Sequence, residues 1–179
     1  MFGGAAYGFR RSVVEDLRSH GITVRAVGMG WDEGFLGDEA LVEAFNTAHV
    51  LLGMGGIGYC EQLTTLKSRD FDGPCTGGAP YLTTFNPDLA DHFRIGEEIL
   101  CYGTRDDLVE LVRRCIRDRR WAAAIARAGR ERCLRQHTWR HRFEKVLSVL
   151  GVLKAGQDAR AASPGSLTTG GREADLDGC

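Results

Sequence analysis

The sequence predicts an α/β protein: a doubly wound parallel sheet with helices on both faces. Three observations predict it. Short apolar, β-branched runs alternate along the chain with longer segments of helical period. Helix-start signals recur soon after those runs. Glycines crowd the junctions: fifteen fall in residues 1–80, about one in five, where about 7% is usual.

Taken in order, residues 1–9 are the end of a strand followed by a glycine-rich turn. Ser12 and Glu15 have capping-box spacing ahead of Val13, Val14 and Leu17, which predicts a helix over 11–20 that Gly21 ends. Residues 22–27 are a β-branched strand closed by Gly28 and Gly30. Asp38 is placed to cap a helix over 38–48 with Leu41, Phe45 and Ala48 on one face, and residues 49–52 are a second buried strand. Residues 60–70 mix polar and apolar positions and are expected to be helical in part. A third strand covers 80–84. Asn86-Pro87-Asp88 then supplies a cap, a proline at the first helical position and an acid on the dipole, for a helix over 87–93. A fourth strand covers 98–102. Thr104 and Asp107 form a capping box for a helix over 105–117, and Asp118 caps one over 119–135. Thr138 caps the last, over 139–150, with Phe143, Val146, Leu147 and Leu150 expected inward. Residues 154–179 lack periodicity and are expected to form a disordered tail, leaving one domain over 1–153.

Composition narrows the function. The formal charge is −1, which argues against a globally basic nucleic-acid binder, and no long uncharged apolar stretch suggests a membrane span. The first residues lack the pattern of a secretory signal, so a cytoplasmic location is expected. No two of the six cysteines form a CxxC pair, and the histidines are scattered without a carboxylate cluster, so no metal is expected. Between residues 113 and 145, eleven Arg and one Lys face three acids, a local balance of +9. An anionic partner or a solvated helix face would each account for it.

Two segments carry chemistry. Gly53, Gly55 and Gly58 give G-x-G-x-x-G directly after a strand, the spacing with which backbone amides cradle a pyrophosphate. Asp70 and Asp72 lie at about the distance of the ribose-binding acid, but in a charged stretch unlike a strand end. The segment KSRDFDGPCTGGAPYLTT, 67–84, is denser. Lys67 and Arg69 are cations two residues apart, Asp72 is an acceptor for paired hydroxyls, and Gly77 and Gly78 permit close backbone approach. That set suits a nucleoside diphosphate, and equally a surface salt-bridge cluster beside a turn.

From residue 3 to 153 the chain resembles the C-terminal half of group 1 glycosyltransferases related to the spore maturation protein CgeB, enzymes of the two-lobed GT-B fold in which each lobe is Rossmann-like. The resemblance is carried by FGGAAYGFR, GITVRAVGMGW, FNTAHVLLGMGGIGY, LKSRDFDGPCTGG, LTTFNPDLADHF, IGEEILCY and AGRERCLRQHTWRHRF, in family order. It implies a donor-binding lobe that takes a nucleoside diphosphate sugar as co-substrate, without a cofactor or metal, for sugar transfer to an acceptor. It places Asp72 where the family has a ribose-binding glutamate, one methylene longer. Lys67 and Arg69 stand at basic positions near the diphosphate, and Gly77 and Gly78 at the glycines after that motif. Arg10 stands near a second phosphate-facing position, and Gly55 lies in the glycine-rich stretch serving the donor. The family's N-terminal, acceptor-binding lobe has no counterpart in this sequence, so the lone chain is expected to be catalytically incomplete, with that lobe as its partner. A non-catalytic nucleotide-sugar-binding module and an NAD-binding oxidoreductase domain are the alternatives.

Overall fold

The computed structural model describes residues 1–152; the tail expected over 154–179 lies outside them. The described residues divide into two units, Met1–Arg142 and a second that begins at Phe143.

The first unit is built on five parallel strands: β1 (Phe2–Gly3), β2 (Ala26–Val27), β3 (Leu51–Leu52), β6 (Tyr81–Thr84) and β7 (Leu100–Tyr102). A hairpin of β4 (Gly56–Ile57) and β5 (Cys60–Thr64) interrupts them. The β1–β2 and β3–β6–β7 ladders are joined at Met1, whose amine donates to Val50 O and whose carbonyl accepts from Leu52 N–H, both at 2.9 Å. The resulting order is 2-1-3-6-7. The direction of winding therefore reverses between β1 and β3, and open sheets of this kind bind ligands at the carboxyl ends of the strands, at such a switch.

Alternation along each strand sorts the core. Leu52, Leu82 and Leu100 enter one cluster with Val13, Val14 and Leu17 of α1 (Arg10–Ser19) and with Leu108, Val109 and Val112 of α4 (Arg105–Arg117). Leu51, Tyr81 and Ile99 enter the other with Leu89, Phe93 and Cys133. On that side lie α2 (Asp38–Thr47) and α3 (Arg69–Thr76), and α3 packs on α5 (Arg119–Gln136).

The strands fall where the patterns put them but are shorter, because only a few residues of each run find a ladder partner. Ile22 and Val24 are buried yet precede the paired part of β2. Three caps form as the sequence specifies: Asn86 Oδ1 accepts from Asp88 N–H at 2.9 Å, Thr104 and Asp107 close a reciprocal box, and Asp118 Oδ1 accepts from Trp121 N–H at 2.9 Å. Two do not. Ser12 sits inside α1, which starts at Arg10, and its hydroxyl donates back to Phe9 O at 2.7 Å. Gly37, not Asp38, occupies the cap of α2. Residues 87–91 form a 3-10 turn in place of the expected helix, and of residues 60–70, expected to be helical in part, only the last two are, at the start of α3, after β5 and a loop.

The last helix, α6 (Trp139–Val149), supplies most of the described part of the second unit and closes at Gly151, whose φ is 70°. It has no buried residue; Phe143, Val146 and Leu150, expected inward, are exposed.

Candidate nucleotide site

Beyond the carboxyl ends of β1 and β2 the chain opens a cavity of about 510 Å³. Its floor is backbone, formed by Gly3, Gly4 and Ala5 after β1 and by Gly28 after β2. Gly4 N–H donates to Val27 O at 2.8 Å, and a Cβ on Gly28 would stand 2.7 Å from Gly4 O, so neither turn has room for a side chain where the two strands end. Met29, Phe35, Leu36, Leu41 and Phe45 supply apolar walls, and Ser68, Arg69 and Asp72, at the start of α3, supply the polar side. Apolar walls with a few convergent polar groups are the usual make-up of a small-molecule site.

Two arginines lie over the Phe2 ring beside this cavity; Arg69 lines it, and Arg10 stands behind the first turn. Arg10 is buried at 6% exposure, stacks 4.2 Å over Tyr7, and donates through Nη1 to Ala5 O at 3.2 Å. Its Nε is buried without a partner. Arg69 lies 5.3 Å over the Phe2 ring, with Arg10 5.9 Å from the same ring. A Cβ on Gly4 would stand 2.8 Å from Arg69 Nη2, so the guanidinium is laid against the first turn. Neither arginine forms an ion pair among the described residues. Burial pulls the Arg10 pKa below its ordinary value, Tyr7 opposes, and the like charge of Arg69 adds to the fall. Both guanidinium groups lie over one aromatic ring without an ion-paired carboxylate, with Asp72 the acid that acts on Arg69, and such a pair can receive an external anion.

The other predicted residues distribute around this pair. Asp72 is exposed at the mouth of the cavity; partial desolvation raises its pKa, while Ser68 and Arg69 act to lower it. Lys67 faces the next cavity, which shares Ser68 and Asp72 with the first. The amide of Gly55 is already engaged, donating to Thr84 Oγ1 at 3.3 Å. Gly77 and Gly78 stand at the opposite end of the sheet, before β6, and do not join the others. Gly77 caps α3 with φ 74° under the stem of Arg130, which donates to Cys75 O at 2.7 Å, and Gly78 lies against the backbone of α2 at Asn46. Both serve helix packing there, which corrects the expectation that they line the same cleft.

The glycine fingerprint also resolves. Gly53 leads into a hairpin and not a helix, so no helix N-terminus stands behind these glycines to receive a pyrophosphate, and the dinucleotide reading loses its physical basis. Gly56 lets Phe9 approach and Gly58 turns the hairpin at φ 57°.

The sequence offers Asp70 only as an acid at ribose-binding distance, beside Asp72; the structure gives it an anchoring role. Asp70 is buried at 3% exposure and accepts from Lys67 N–H at 2.7 Å, Tyr81 Oη at 2.7 Å and Thr83 Oγ1 at 3.4 Å. It ties the start of α3, and with it Arg69 and Asp72, to the centre of the sheet. The available signal was the hydroxyl pair Tyr81 and Thr83, two residues apart on a strand and hence on one face.

The neighbouring cavity, about 570 Å³, is lined by Phe71, His92, Cys133, His137 and Trp139, with Lys67 and Arg142 among its charges. His137 packs against Phe71, His92 and Phe93 at centroid distances of 5.2, 5.5 and 5.0 Å, and its Nε2 pairs with His92 O at 3.0 Å. Desolvation, the largest influence, lowers its pKa from the ordinary 6.5; the bond to His92 opposes, and His92, Arg142 and Arg132 add to the fall. A lowered folded-state pKa gives stability that is complete above 6.5 and lost as pH falls below it. Urea midpoints measured from about pH 7.5 to about pH 5 should therefore drop, and His137→Phe should flatten part of that drop.

Comparisons with known proteins agree with this architecture. The profile of the glycosyl transferase-like family matches residues 10–148. Two solved structures share the fold: Anabaena Alr3699/HepE in complex with UDP, at 11% identity and TM-score 0.62, and the same protein with UDP and glucose, at 14% and 0.58. Each alignment covers 85% of this chain but only 48% and 40% of the other, so the chain spans less than half of those proteins. No curated protein sequence matches. The predicted fold class is thus the observed one, a doubly wound parallel α/β lobe of the GT-B kind. Among the described residues no helix is long and apolar enough to cross a membrane. With most of its length under the family profile, the chain belongs to the glycosyl transferase-like family.

Proposed function

We propose that this chain is the donor-binding lobe of a transferase that moves a sugar from a nucleoside diphosphate sugar to an acceptor, of the CgeB-related group. The observation that carries the proposal is the pair Arg10 and Arg69, buried or half-buried, without ion pairs, and laid against the backbone turn at the end of β1. In this reading the base enters between Gly28 and the apolar wall of Phe35 and Leu41. Asp72 takes the ribose hydroxyls, and the diphosphate lies on Arg10, Arg69 and the turn. The neighbours' complexes with UDP favour a uridine nucleotide. As the glycosidic bond breaks, charge builds on the leaving diphosphate, and two fixed guanidinium groups stabilise it without reorganising. Lys67, across the Ser68–Asp72 wall, adds positive potential, and no metal is needed for this step.

Since the chain spans less than half of the related structures, the acceptor and the second wall of the cleft fall to another lobe, within a longer chain or on a separate one. Alone, the lobe binds nucleotide and transfers no sugar, because orienting the acceptor contributes on the order of 7–11 kcal/mol to such reactions.

Calorimetry with UDP tests the proposal. Arg69→Ala should weaken binding roughly tenfold to a hundredfold, the effect of about 1.5–3 kcal/mol for a charged hydrogen bond, whereas Arg135→Ala should leave it unchanged. Equal binding by Arg69→Ala, or none by the parent chain, would overturn it. Steady sugar transfer by the chain alone would overturn the need for a second lobe.

A further inference from the structure

The edge of the sheet opposite the nucleotide cavity carries a feature that sugar transfer does not use. Residues 113–120 read RRCIRDRR, five arginines against one aspartate, and form the corner where α4 ends and α5 begins. Arg113 pairs with Glu110 at 3.2 Å and Arg114 lies 3.8 Å over Trp121. Arg117, Arg119 and Arg120 are exposed and form no ion pair among the described residues.

The fold accounts for only part of this charge. Arg114 and Arg117 occupy the last turn of α4, where cations offset the negative helix end. Arg119 and Arg120 occupy the first turn of α5, where the helix dipole disfavours a cation and the one acid is Asp118 at the cap, already engaged with Trp121 N–H. Their placement opposes local stability, so it points outward, to an anion supplied from outside.

Beside the arginines a large apolar side chain, Ile116, is exposed. A cavity of about 440 Å³ opens between the end of α1, the amino-terminal ends of the strands and the end of α4. Leu17, Ile22, Val24 and Val112, each 9% exposed or less, form its floor with His20, Thr23 and His49 around them, Arg113 and Arg117 stand at its rim, and Ile116 is 43% exposed between them. A nucleic acid would use the cations and leave Ile116 wet. A phospholipid surface uses both, with phosphate at the arginines and glycerol and upper acyl carbons against Ile116 and the cavity.

We propose that this corner docks the protein on an anionic lipid bilayer. The nucleotide cavity, at the other end of the strands, then faces away from the membrane and stays open to its ligand.

The test is sedimentation of the full chain with vesicles. Vesicles of phosphatidylcholine with about one-third phosphatidylglycerol should carry the protein down, pure phosphatidylcholine should not, and salt should release it. Each arginine near an anionic surface is worth about a fivefold change in partitioning, so the triple change Arg117→Gln, Arg119→Gln, Arg120→Gln should lower binding roughly a hundredfold. Arg119→Gln alone should lower it about fivefold, and keeps the test available if the triple variant folds poorly. Ile116→Ser should also weaken binding, and Arg135→Gln, at the other end of α5, should not. Failure to sediment with anionic vesicles would overturn the proposal. So would equally tight binding of a duplex oligonucleotide that is insensitive to Ile116→Ser, which would assign the patch to nucleic acid.

Discussion

Asp70→Ala will destabilise the first unit by about 3–5 kcal/mol, measured as the urea unfolding free energy. The carboxylate accepts from Lys67 N–H and Tyr81 Oη, both at 2.7 Å, in a site 3% exposed. Bonds to a charged acceptor contribute about 1.5–3 kcal/mol each, and truncation leaves the donors buried without a partner. Tyr81 is itself buried, and desolvation, with Asp70 beside it, pushes its pKa well above the ordinary value, so the phenol is a neutral donor at all working pH. Asp70→Asn retains the volume and one acceptor, and should lose less, about 1–2 kcal/mol. Because Asp70 anchors the start of α3, the alanine variant should also loosen Arg69 and lower UDP affinity in whatever fraction stays folded. An alanine variant within about 1 kcal/mol of the parent would show that Asp70 does not organise this region.

Gly78→Ala should separate packing from binding. The new Cβ would overlap Asn46 Cα and lie 2.6 Å from Asn46 O, and these are helix backbone atoms that cannot rotate aside. The junction of α2 and α3 must part, at a cost of about 1–3 kcal/mol for such overpacking. The folded variant should nonetheless bind UDP as tightly as the parent, since Gly78 lies before β6 and the cavity lies beyond the carboxyl ends of β1 and β2. Chemical denaturation checks the first statement and calorimetry the second. Loss of UDP affinity with unchanged stability would return Gly78 to the ligand site.

That pair of glycines shows where sequence reasoning stops. A glycine pair beside a charged motif signals close backbone approach, but not to what; here the approaching groups are Arg130 and α2. The alternation of strands and helices was legible because burial on two faces writes a period into the chain, and the caps at Asn86, Thr104 and Asp118 were legible because each is a local bond. The Ser12 box failed because Phe9 and Arg10 already continue the helix backward, so the hydroxyl found a carbonyl instead of a free amide. The β4–β5 hairpin was hidden because Cys60, Gln62 and Leu63 are exposed on a two-stranded ribbon and carry no core-facing alternation. Arg69 and Asp72 were singled out as a charged motif, and Arg10 through a family resemblance. Their convergence at one turn depends on the Phe2 ring and on the order of strands, which no local pattern encodes.

The most direct measurement is a crystal structure of the chain soaked with UDP. The account predicts density in the cavity beyond β1 and β2, with the phosphates within hydrogen-bond reach of Arg10 and Arg69 and the ribose hydroxyls on Asp72. Nucleotide density instead beside His92 and His137, or at the arginine corner of α4 and α5, with Arg10 and Arg69 untouched, would contradict it.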